Sequence, residues 1–150
     1  MRMSQYVYFA IKSETMPATE ITARLGVEPD RFSVRGSRRA DPPVPVCHSW
    51  QVRCDERGLR VDEQIDRVLA RLTPVTAKIA ELCREPDEVA AVLEVVRFFE
   101  DEDGEDPKPQ PAEENLVRIP DQHLLGWVLD RRVIEFLAAT GAFLDVDEYD

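Results

Sequence analysis

The ending Ala142-Phe143-Leu144-Asp145-Val146-Asp147-Glu148-Tyr149 changes side-chain character at almost every step. Ala142, Leu144 and Val146 fall on one side of an extended segment, and Phe143, Asp145, Asp147 and Tyr149 on the other. That period of two marks a terminal strand with one buried face. Working back from it, Val133, Ile134, Leu137 and Ala138 form a helical stripe that Asp130 can cap and Gly141 can close in a left-handed conformation. Asp121 is an alternative start for that helix. The opening of the chain repeats the plan. Tyr6 to Lys12 reads as a strand, with Val7, Phe9 and Ile11 opposite Tyr6, Tyr8, Ala10 and Lys12. Pro17 suits the first turn of a short helix carrying Ile21 and Leu25, and Gly26 suits its end. Both ends of the chain are therefore read as βαβ-like units.

Between them, Phe32 to Val34 predicts a brief strand. Gly36 and the cluster Pro42, Pro43 and Pro45 then predict a loop that cannot pair normally. From Cys47 to Cys54 alternation returns, with His48, Trp50, Val52 and Cys54 on the core side and Cys47, Ser49, Gln51 and Arg53 on the other. Val61, Ile65, Val68, Leu72, Val75, Ile79 and Leu82 recur at helical spacing. Pro74 predicts a kink there, or two helices with Thr73 capping the second. Val89 to Phe99 is apolar on both alternating faces, which predicts a central strand covered on both sides. The segment at about 100–115, with eight acids, one lysine and Pro107, Pro109 and Pro111, is read as a flexible acidic loop. Leu116 to Ile119 and Trp127 to Leu129 are read as short extended pieces. The sum is a single α+β domain over residues 1–150, with a mixed, mainly antiparallel sheet and helices packed on one face.

At 150 residues the chain can bury roughly 68 to 70% of its unfolded surface. Its formal charge of −11 disfavours nucleic-acid binding, which needs Lys and Arg to displace counterions from phosphates. No stretch has the length and apolarity of a membrane span, and the first residues do not resemble a secretion signal, so a cytoplasmic protein is expected. Cys47, Cys54 and Cys83 have neither the number nor the spacing of a disulfide or zinc framework and are read as free thiols. Cys47 and His48, as strand neighbours, would point to opposite faces and could not form a dyad. Two histidines, His48 and His123, with scattered thiols do not make a ligand set, so neither a metal nor a cofactor is assigned.

The motifs Glu20-Ile21-Thr22-Ala23-Arg24-Leu25-Gly26-Val27-Glu28-Pro29, Gly36, Ser49-Trp50, and Leu129-Asp130 through Gly141-Ala142-Phe143-Leu144-Asp145-Val146-Asp147-Glu148-Tyr149 together resemble a bacterial family known as domain of unknown function 4279. The resemblance spans nearly the whole chain. It implies a small α+β fold and no established activity, and the acidic insert before Leu116 is where this sequence departs.

Two functional readings stand open. In the first, Tyr6, Tyr8, Gln51, Arg53, Asp145, Asp147 and Tyr149 gather on the open face of the sheet. They give a non-catalytic, acidic interaction protein that binds a basic protein partner, of which an immunity-type protein neutralising a basic toxin is one form. Homodimerisation through the same face belongs to this reading. Asp145 and Asp147, roughly 7 Å apart on one side of a strand, could serve as acid and base, hold a cation, or simply keep an edge soluble. In the second, Arg31, Arg35, Arg38 and Arg39 grip an anionic small molecule beside Asp145 or Asp147, as in a small enzyme or ligand-binding domain. Pairing of those arginines with local acids is the plainer expectation.

Overall fold

A computed structural model describes residues 2–84, 88–100 and 124–150. The chain forms β1 (Arg2–Ser13), α1 (Ala18–Leu25), β2 (Arg31–Ser33), β3 (Arg39–Ala40), β4 (Pro43–Val44), β5 (His48–Cys54), α2 (Val61–Leu72), a 3₁₀ turn (Thr73–Val75), α3 (Thr76–Leu82), β6 (Val89–Glu100), α4 (Arg131–Thr140) and β7 (Phe143–Tyr149). Five strands make one sheet in the order β2-β5-β1-β6-β7. All neighbours are antiparallel except β6 and β7, which run parallel on either side of α4 in the sequence. The expected α+β architecture with a mixed, mainly antiparallel sheet is therefore present. At the C-terminal end β6, α4 and β7 form an adjacent βαβ unit, whereas at the N-terminal end β5 lies between β1 and β2.

The core follows from the period of two in the strands and the stripe on each helix. Val7, Phe9, Ile11, Trp50, Val52, Leu93 and Val95 point to one side of the sheet and join Ile21, Leu25, Ile65, Leu72, Ile79 and Phe136 from the helices. Phe9 meets Phe136 edge-on at 5.5 Å, and the Trp50 indole nitrogen donates to Thr22 Oγ1 at 3.0 Å, so burying the tryptophan leaves no orphan donor. Gly26 and Gly141 close α1 and α4 at φ 70° and 71°, where a side chain would be strained.

Asp130 caps α4 as its sequence position suggests, with Oδ1 accepting from Val133 N at 3.0 Å. This bond, with Arg132 beside it, holds the Asp130 carboxyl below its ordinary pKa. Asp130→Ala should lower stability, because the first turn of α4 loses its side-chain acceptor. Urea denaturation checks it, and an unchanged midpoint would show that the cap carries no weight.

Some details differ from the sequence reading. The proline-rich loop does pair, through the two-residue ladder Arg39↔Val44 and Ala40↔Pro43. The helical stretch splits at Pro74 into α2 and α3, but Thr73 does not cap the second: its hydroxyl donates back to Leu69 O at 2.7 Å, completing the end of α2. Cys47, Cys54 and Cys83 are free thiols, and burial raises the Cys83 pKa. Central strand β6 packs under helices on one face only, among the described residues. Val92, Glu94 and Val96 on its other face are buried by flanking strands instead. The acidic segment at about 100–115, apart from Glu100, lies outside the described residues, as do Leu116 to Ile119, the alternative helix start Asp121, and His123.

Candidate functional site

The face turned away from the helices is defined by register. Tyr8 pairs with Arg53 on one side and with Glu94 on the other, and Glu94 pairs with Asp145, so these four residues form one row across β5, β1, β6 and β7. The adjacent row holds Tyr6, Val96 and Asp147, and the next holds Phe98 and Tyr149. Partners in a row share a face, because paired residues on neighbouring strands point the same way. The sequence-expected residues Tyr6, Tyr8, Gln51, Arg53, Asp145, Asp147 and Tyr149 are thus brought onto one surface, with no described helix over it.

Aromatic rings line this surface. Tyr6 stacks near Tyr8 with centroids 6.2 Å apart and lies 6.4 Å from Phe98, which stacks on Tyr149 at 5.0 Å. The Arg53 guanidinium sits over the Tyr6 ring with Cζ 3.7 Å from the centroid, a cation–π contact that fixes the ring from the β5 side.

At the β7 end the surface turns acidic. One carboxylate oxygen each from Glu94, Asp145 and Asp147 lies within 4.8 Å of the other two. Three negative charges at that spacing cannot all be held cheaply. Burial first, then a hydrogen bond with Asp147 and the charge of Asp145, push the Glu94 carboxyl up to about 7. Burial followed by the charge of Glu94 pushes the Tyr8 phenol up to about 12, and the charge of Asp147 raises Tyr149. The charges on the face are graded: Arg31 and Arg53 stand on the β2 and β5 side, Lys12 on β1, and the three carboxylates on β6 and β7.

Glu94 is the residue the sequence reading missed. Its signal is a lone acid inside Val89-Ala90-Ala91-Val92-Leu93-Glu94-Val95-Val96, where an unpaired carboxylate would be costly without a local reason.

The arginine loop does not join this site. Arg35 Nη1 donates to Glu14 O at 3.4 Å and Arg39 Nε to Asp41 O at 2.9 Å. None of Arg31, Arg35, Arg38 and Arg39 forms an ion pair with an acid among the described residues, and Arg35 and Arg39 reach main-chain carbonyls instead. Arg31 on β2 and the acids on β7 stand at opposite edges of the sheet. Four strand spacings, roughly 19 Å, separate them. A single small anion cannot touch both. A cleft of about 420 Å³ lies instead on the helix side, between α2 and α4, with Asp66, Thr73, Arg132 and Phe136 on its walls. No described helix is long and apolar enough to cross a membrane.

The family model described as domain of unknown function (DUF4279) matches residues 3–150, and the chain belongs to that family. No curated protein and no solved structure matches it.

Proposed function

We propose that this DUF4279 domain is a non-catalytic binding module that receives a basic protein segment on the open sheet face. One observation carries the reading: a continuous aromatic surface from Tyr8 through Tyr6 and Phe98 to Tyr149 abuts three clustered carboxylates. Phe98 and Tyr149 are 36% and 50% exposed, so part of that surface stays in water until something covers it. Aromatic groups supply contact area with few torsions to freeze, and the carboxylates select lysine or arginine over acidic side chains. The net charge of −11 draws such a partner in from a distance. A cytoplasmic bacterial protein that neutralises a basic toxin, as immunity proteins do, is the concrete form of this function.

The test is a titration of isotope-labelled protein with a lysine- and arginine-rich peptide. Amide shifts should be confined to β1, β6 and β7. The double substitution Asp145→Asn, Asp147→Asn should weaken binding by at least about tenfold, a loss of about 1.4 kcal/mol. Raising salt should weaken wild-type binding as well, because the attraction is partly solvent-screened. Shifts clustered on α2 and α4, or an affinity indifferent to both salt and substitution, would count against the proposal.

A further inference from the structure

We propose that the outer edge of β7 is a strand-addition site, where an extended basic segment of a partner protein pairs with the main chain of Phe143–Tyr149 and lengthens the five-stranded sheet. The inference rests on the reading above that the partner is a basic segment, and it specifies how that segment is held. β7 is seven residues long and, among the described residues, pairs with β6 alone. No described main-chain group bonds to its other side. Successive strand residues point their N–H and C=O groups to alternate sides, so that edge presents a row of donors and acceptors roughly 20 Å long. The opposite edge, β2, offers only three residues and is blunted by its shortness. β7 is not.

The side chains along the edge identify the occupant. Asp145 and Asp147 on the open face and Glu148 on the helix side are its charged residues, and it carries no lysine or arginine. Acids on an edge are an ordinary guard against pairing, but a purely defensive edge has no need of exposed apolar groups as well. Phe143 and Tyr149 are 57% and 50% exposed on the open face, and Val146 is 38% exposed on the helix side although its β6 partner Val95 is fully buried. A strand laid along β7 covers all three. A second copy is a poor occupant, because two β7 edges paired about a two-fold axis, in the registers that use most of the strand, set acid directly against acid. A partner with Lys or Arg opposite Asp145 and Asp147, and aliphatic residues opposite Leu144 and Val146, meets charge with opposite charge and apolar with apolar. Main-chain bonds then give affinity, and the two side-chain rows give selectivity.

The experiment titrates the isotope-labelled full chain with a capped peptide of about nine residues that alternates lysine with valine. Alternate amides of β7 should exchange fast in the free chain and slow at least about tenfold on binding, with cross-strand contacts from β7 to the peptide in NMR spectra. N-methylation along one edge of the peptide should be tolerated, because reversing its direction presents the other edge with the lysines still on the same face. N-methylation along both edges should weaken binding at least about tenfold, as should replacing the lysines by glutamates. Three results would overturn the proposal: β7 amides already slow along both sides in the free monomer, a dimer of the chain that protects them, or a glutamate peptide that binds as well as the lysine one. If the doubly methylated peptide binds like the unmodified one, the basic segment lies on the face through side chains alone, so strand addition falls and the broader reading stands. If no form of the lysine peptide binds, both fall.

Discussion

Glu94→Gln is expected to melt above the wild type at about pH 8, by about 4–8 °C for about 2 kcal/mol, and to lose most of that advantage at about pH 5. The sign follows from the direction of the shift. In the folded chain the Glu94 carboxyl sits at about 7, whereas its ordinary value is 4.5. The folded state therefore holds the proton more tightly than the unfolded chain does. Its favourable contribution is complete below the unfolded value, declines as pH rises from 4.5 towards 7, and is gone above that. The full shift would be worth at most about 3 kcal/mol. Glu94 shares its proton with Asp147 and its titration is coupled to that neighbour, so about 2 kcal/mol is the figure to expect. A neutral amide removes the repulsion permanently. Melting curves with chelator present, taken across that range for both proteins, check the result. A variant no more stable at high pH, or a gap that does not change with pH, would mean that the three carboxylates do not repel one another as their spacing demands.

Residues whose role is set within one element were legible in the sequence. Gly26, Gly141 and Asp130 end or begin helices through their own backbone and side-chain chemistry, and each occupies the place expected of it. The facing of Tyr6, Tyr8, Asp145 and Asp147 was legible for the same reason, because alternation along a strand is local. Which strands are neighbours was not. Nothing in Val89 to Phe99 announces that Glu94 lies between Tyr8 and Asp145, since that depends on β6 pairing antiparallel with β1 and parallel with β7. The same gap explains the arginine loop. Arg31 and Asp145 could be joined in a single ligand site only while the strand order was open, and the order β2-β5-β1-β6-β7 puts them at opposite edges. Thr73 shows a subtler limit: the same hydroxyl can cap a following helix or bond back to the preceding turn, and Pro74 alone does not decide between them.

Arg97→Met should destabilise the domain by about 2–3 kcal/mol, the second large effect, and should loosen the strand that carries two of the three clustered acids. Arg97 is 4% exposed on the helix side of β6, one residue beyond Val96. Its guanidinium donates to Leu124 O at 3.2 Å, Leu125 O at 3.1 Å, Gln5 Oε1 at 3.3 Å and Glu148 Oε1 at 3.0 Å. It thereby ties β1, β6, β7 and the segment before α4 to one planar group. Methionine fills a similar volume but donates nothing, so the two carbonyls lose a charged donor. Glu148 is about half exposed and can be rehydrated, which keeps the cost below that of breaking a fully buried pair. Lysine keeps the charge and loses the fork, so Arg97→Lys should fall between the two. Urea midpoints give the energies. Hydrogen exchange should rise at Phe143–Tyr149 and at Leu124 and Leu125 before it rises in α2, because only the former hang on this group. A loss under about 0.5 kcal/mol, or faster exchange spread evenly over the sheet, would show that β7 is held by its ladder alone. The spacing of Glu94, Asp145 and Asp147 would then owe nothing to the buried arginine on the opposite face.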